Sequence, residues 1–100
     1  MTERNHELDF LSDSTESTST RFVTFIGGSL KRFDLAVTTT NRFYGKKLVT
    51  DLQSGRTAIL GTDDLEEEGY LESVFNLNEE ESGELRTFLI QVVGDAYFTD

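Results

Sequence analysis

The sequence predicts an α+β fold: a four-stranded antiparallel β-meander covered on one face by two C-terminal helices, a ββββαα two-layer sandwich. Three observations carry this reading. Between residues 21 and 61, short runs rich in aromatic and β-branched side chains alternate apolar with polar positions. After Gly61 the apolar period lengthens to that of a helix, with acidic capping signals ahead of each apolar run. The connections between the strand runs, about two to six residues, are too short for parallel crossovers.

The first strand is "RFVTFIG", which stops at Gly27-Gly28. The second, "RFDLAVTTT", alternates cleanly, with Phe33, Leu35, Val37 and Thr39 on one side and Asp34, Ala36 and Thr38 on the other. One of its faces is therefore buried and the other wet. "KKLVTDLQ" and "RTAILG" supply the third and fourth strands, joined through Ser54-Gly55, where glycine accepts the positive φ of a tight hairpin. A first helix is expected over roughly 63–75, capped by Thr62 or Asp63 with Glu66 reaching back, and burying Leu65, Leu71, Val74 and Phe75. Gly69 inside it costs about 1 kcal/mol relative to alanine and marks a place to break or kink. Asn78 with Glu81 repeats the capping pattern, and Leu85, Phe88, Leu89, Val92 and Val93 follow at helical spacing until Gly94. Ser82-Gly83 weakens the start of that second helix.

A chain of 100 residues holds one core, assigned here to residues 21–94, between a polar arm at 1–20 and a tail at 95–100. "SDSTESTST" has no apolar periodicity and reads as a flexible arm, whereas "LDFL" at 8–11 offers one amphipathic turn able to dock. The absence of cysteine excludes a disulfide framework, a thiolate zinc site and a cysteine nucleophile. The first twenty residues show no apolar run behind a basic start, and no stretch reaches eighteen apolar residues. A cytoplasmic protein without a membrane partner is expected.

The formal charge of −10 is distributed as acid, base, acid. Residues 1–20 carry −4, residues 21–60 carry +5, and residues 61–100 carry −11. The run "TDDLEEE" lacks the alternate oxygen ligands and obligatory glycine of a calcium loop, and its acids suit the first turn of a helix, where each offsets the dipole by about 0.3–1 kcal/mol. The only histidine, His6, lies in the arm, and no nucleophile-elbow, dinucleotide or Walker pattern is present. No catalytic residue, metal ligand or cofactor is assigned. "IGGSLKR" at 26–32 offers backbone amides and two bases to a phosphate, or is simply the turn between the first two strands.

The cluster that stands out is "NRFYGKK". Arg42, Phe43, Tyr44, Lys46 and Lys47, joined by Arg56, form the candidate binding surface. Aromatic faces beside cations hold single-stranded nucleic acid by stacking and neutralisation. The competing reading makes the aromatics caps on the core and pairs the bases with acids of the helical layer. The favoured function is a non-enzymatic protein-interaction or regulatory module whose partner is another protein or a second copy, since an open meander leaves two strand edges. Single-stranded nucleic acid is the alternative ligand, disfavoured by the overall charge. The acidic helices as a docking face for a basic partner form a third reading. The bases Arg21, Arg32, Lys46, Lys47 and Arg56 are expected partly to solvate the outer sheet face and partly to neutralise helix acids at the rim.

The segment "RFDLAVTTTNRFYGKKLVTDLQSGRTAILGTDDLEEEGYLESVFNL" resembles a family of small cytosolic proteins of Bacillus-like and Staphylococcus-like bacteria labelled domain of unknown function 3055. The likeness covers residues 21–93 and is most specific in "FYGKKLVTDLQSGRTAIL" followed by "DDLEEEGYLE". It implies a bacterial, cytoplasmic origin and transfers no catalytic or binding residue; the Ser/Thr arm and "DAYFTD" lie outside it.

Overall fold

In the computed structural model, which describes residues 7–94, four strands precede three helical segments. These are β1 (Ser19–Ile26), β2 (Arg32–Thr39), β3 (Lys47–Asp51), β4 (Thr57–Leu60), α1 (Thr62–Glu66), α2 (Tyr70–Phe75) and α3 (Glu79–Gly94). The strands form one sheet in the order β1-β2-β3-β4, every pair antiparallel. This is the expected ββββαα architecture with its first helix split in two.

The alternation in β2 fixes which side of the sheet is dry. Phe33, Leu35 and Val37 are buried, and the register sets Val37 beside Val49 and Val49 beside Ala58, so the inner row runs across three strands. Leu60 completes it on β4, opposite Lys47. From the helices, Leu65, Leu71, Phe75, Leu85, Leu89 and Val93 close over this row, each 3% exposed or less. Val74 and Phe88, expected in the core, are only half-buried beside it. Phe88 instead lies against Phe25, whose ring stacks on Phe33, with centroid separations of 5.0 and 4.9 Å.

Gly69 is where the first helix breaks, since it takes φ +81°, a left-handed conformation that side chains resist. Two helices of five and six residues result, each placing apolar residues on the core: Leu65 from α1, Leu71 and Phe75 from α2. The cap of α1 also differs from expectation. The chain turns immediately after Leu60, so Gly61 is the N-cap, and it is Asp64, not Glu66, whose carboxylate accepts the Gly61 amide at 2.8 Å. At α3 the expected reciprocal box is formed: the Glu81 amide donates to Asn78 Oδ1 at 2.8 Å and the Asn78 amide to Glu81 Oε1 at 3.1 Å.

Residues 7–18 form no helix or strand, so the amphipathic turn that 8–11 offers is not made. Leu8, Phe10 and Leu11 are 77, 70 and 97% exposed. β1 begins at Ser19, two residues before the boundary expected for the domain. His6 and the tail at 95–100 lie outside the described residues.

Leu35 is 1% exposed at the centre of the inner row, so Leu35→Ala is expected to cost about 2–5 kcal/mol. Phe88→Ala, at a half-buried position, is expected to cost clearly less. Denaturant titration of both variants measures this, and equal losses would show that the core is centred nearer Phe88.

Candidate interaction surfaces

In a meander, successive turns lie at opposite ends of the sheet, and this decides what the candidate residues can do together. The β2–β3 connection carries Arg42, Phe43, Tyr44 and Lys46 at one end, with Lys47 opening β3; Arg56 lies in the β3–β4 hairpin at the other. Arg56 is therefore not brought to the cluster. The hairpin itself is built from local groups: Asp51 accepts from Ser54 Oγ at 2.7 Å and from the Gln53 amide at 3.1 Å, and Gly55 takes φ +82°.

At the β2–β3 end the acidic and basic parts of the chain meet. Lys46 Nζ lies 3.0 Å from Asp64 and 3.9 Å from Asp63, at the start of α1. The arm arrives from the other side, where Glu16 accepts from the Thr40 hydroxyl and the Asn41 amide, and Arg42 donates to Ser14 Oγ at 3.3 Å. Lys47 Nζ donates to Thr39 Oγ1 at 2.9 Å. Phe43 is half-buried, whereas Tyr44 is 99% exposed on a backbone of φ +53°. Of the aromatic pair, one ring is free to stack, and one of the three cations at this end is held by helix acids.

These contacts set the protonation states at the corner. Burial pushes the Asp64 carboxyl up, but the Gly61 amide and the Lys46 ammonium outweigh it and leave it below the ordinary aspartate value. The hydrogen bond to Asp64 raises Lys46 above its ordinary value against the opposing effect of burial, and hydrogen bonds from Thr40 and Asn41 lower Glu16.

The Gly-Gly turn is occupied by the protein itself. Glu84 of α3 accepts the Ser29 amide at 2.6 Å and the Ser29 hydroxyl at 2.7 Å, the position an incoming anion would need. A Cβ on Gly27 would stand 2.2 Å from Glu84 Oε1, so glycine there admits the carboxylate. Sequence reasoning did not find Glu84, since nothing in "SGELR" distinguishes it from the neighbouring surface acids. Among the described residues, no group of three or more His, Asp or Glu side chains is placed to hold a metal ion.

The outer face of the sheet is a second surface that sequence reasoning described differently. Its register rows are Phe22-Ala36-Thr50-Thr57 and Thr20-Thr38-Leu48-Ile59, with Thr24, Asp34, Ile26 and Arg32 at one end. Among the described residues, the strand positions of this face carry two charges, Arg32 and Asp34, which pair at 3.1 Å. The Thr24 hydroxyl, then Arg32 and Gln53, hold the Asp34 carboxyl below its ordinary value despite some desolvation. Phe22, Ile26 and Ile59 are 72, 63 and 38% exposed. Of the bases expected to solvate this face or neutralise helix acids, Arg32 lies on the face and Lys46 meets α1 at the rim, whereas Arg21 sits over the Phe88 ring at 5.8 Å on the inner side and Lys47 lies across from Leu60. The signal was present in β1, where Phe22, Val23, Phe25 and Ile26 put apolar side chains on both faces.

The paired states of Asp64 and Lys46 define a pH dependence. Asp64, lowered on folding, contributes stability above the unfolded value near about 3.9 that is lost as pH falls through its folded value. Lys46, raised on folding, contributes below about 10.4 and loses that contribution as pH rises beyond it. Thermal melts are expected to show this contribution intact between these limits. Asp64→Asn should flatten the acid-side decline below about pH 4 relative to the wild type; an unchanged decline would show that Asp64 is not one of its sources.

A search of curated proteins finds no match to the chain. Comparison with protein-family models finds a match to the SAV0927-like family over residues 11–91, which spans both the strands and the helices. This match is compatible with the resemblance read from the sequence and extends it into the arm. The chain belongs to the SAV0927-like family.

Proposed function

We propose that the protein is a non-catalytic interaction module of the bacterial cytoplasm that self-associates through the uncovered face of its sheet. The observation that carries this is the contrast between the two faces. One is sealed by helices, and the other leaves Phe22, Ile26 and Ile59 in water among threonines, with a single internally neutralised ion pair. Exposed apolar area of this kind on a sheet marks a contact surface, and two twisted sheets pack face to face at about 10 Å.

A second copy is the occupant this surface fits. The chain carries −10, so most of its surface repels another copy, whereas the outer face presents no net charge. A two-fold contact would bring like rows together, phenylalanine and isoleucine against threonine methyl groups. The lack of cysteine and the family resemblance support the assignment to a reducing bacterial compartment.

Single-stranded nucleic acid is the second reading, favoured by one observation: Tyr44 is 99% exposed beside the exposed Arg42. Lys46, held by Asp63 and Asp64, weighs against it.

Light scattering of the wild type is expected to give a dimer, and Phe22→Glu and Ile59→Glu are each expected to give a folded monomer. A monomeric wild type, or a dimer indifferent to both substitutions, would overturn the sheet-face reading. Retention of a labelled oligonucleotide at low salt, abolished by Tyr44→Ala and by added salt, would favour the nucleic-acid reading instead.

A further inference from the structure

We propose that residues 7–13 of one copy add as an extended strand to the free edge of β1 in a second copy, seating Leu8 and Phe10 in the groove between β1 and α3. This contact uses a different surface from the sheet-face dimer and does not depend on it.

The groove has a volume of about 340 Å³ and is lined by Val23 and Phe25 of β1 and by Glu84, Thr87, Phe88 and Gln91 of α3. It lies along an edge strand: β1 pairs with β2 on one side, and eight residues with no proline present their other backbone edge unpaired within the sheet. Such an edge is a template for strand addition, in which main-chain hydrogen bonds give affinity and alternate side chains enter pockets. Val23 and Phe25, two residues apart, face the helices. Leu8 and Phe10 are also two residues apart, so an extended arm turns both to one side. They are 77 and 70% exposed in their own copy.

Charge favours the same match. Residues 7–13 contain Glu7, Asp9 and Asp13 and no base. Along the groove, Arg21 lies over the Phe88 ring and Lys31 over the Phe33 ring at 5.8 and 5.6 Å. The one acid in the groove, Glu84, already has both carboxylate oxygens engaged by Ser29.

The course of the arm leaves the contact to a second copy: residues 7–18 form no strand in their own copy, and Leu8 and Phe10 stay in water there. Glu16 and Ser14 anchor the arm to Thr40, Asn41 and Arg42, at the end of the sheet where Ser19 pairs with Thr39. From Ser14 to Phe10 the chain spans at most about 14 Å, whereas Ser19 to Phe25 along β1 is about 20 Å. While those anchors hold, Phe10 therefore stops short of the Phe25 end of its own groove.

Because the chain has no cysteine, Ser12→Cys carries a nitroxide at a single site. Spin-labelled full-length protein at natural isotope abundance is mixed with nitrogen-15-labelled, otherwise wild-type protein. The expected result is strong broadening of the Val23, Phe25, Thr87 and Phe88 amides in the isotope-labelled copy. Phe10→Ala in the spin-labelled copy, or Arg21→Glu in the other, is expected to weaken the effect about tenfold in apparent affinity. Broadening is expected to persist when both copies carry Ile59→Glu, which separates this contact from the sheet-face dimer. Absence of broadening at these amides, broadening centred on Ala36 and Thr50, or loss with Ile59→Glu would each overturn the proposal.

Discussion

The structure depends on one dry seam, in which the inner row of β2, β3 and β4 meets side chains from all three helical segments. Val49, Leu60, Leu71, Leu89 and Val93 are fully buried there, and no polar side chain but Ser82 shares that depth among the described residues. Burial of a leucine or valine is worth about 1.5–3 kcal/mol, so truncating any of this small set removes a large share of a small domain's net stability. Ser82 enters without penalty because its hydroxyl donates to the Glu79 carbonyl at 2.9 Å, a bond internal to the helix. The seam is centred away from β1, whose Val23 and Phe25 are only half covered. The groove beside Phe88 is thus a consequence of where the core sits.

The same seam explains the shape of the helical layer. A continuous helix over 63–75 would hold Leu65, Leu71 and Phe75 in one fixed angular relation. Breaking at Gly69 frees α1 to follow the end of β4 while α2 aims Leu71 and Phe75 at the sheet. The left-handed residues at each junction, Gly69 and Asn76, are the two residue types that adopt that conformation at least cost. Arg86 ties the pieces together, donating from Nε to the Leu65 carbonyl at 2.8 Å, so a carbonyl left open where α1 ends early is satisfied by α3.

What the sequence made legible was local. Period-two alternation in "RFDLAVTTT" named the buried residues of β2, and the spacing of Asn78 and Glu81 named the cap that α3 forms. The topology followed from connection lengths. What was not legible depended on contacts across the chain: Glu84 closing the turn at Ser29 is separated from it by 55 residues, and Glu16 reaches Thr40 across 24. The α1 cap was misread for a related reason. Thr62, Asp63 and Asp64 are all competent at that position, and the pairing of Leu60 with Lys47, invisible locally, decides where the strand stops and the helix starts. The candidate cluster was split by topology as well, since alternating turns separate Arg56 from Arg42 however close their charges stand in the sequence.

The distribution of charge then follows from the layers. Acids gather in the helices because their first turns and outer faces are wet, and the bases gather at the sheet rim, where Lys46 meets the dipole end and the carboxylates of α1. The outer sheet face is left nearly neutral by subtraction. If two such faces meet, the order of layers becomes helix, sheet, sheet, helix, at spacings of about 10 Å each. The acidic layers then stand about 30 Å apart, against a screening length of about 8 Å in physiological salt. Their mutual repulsion is therefore largely screened in that arrangement. The proposed self-contact is thus placed where the sheet is open, because the layer that carries the charge is the one turned furthest away.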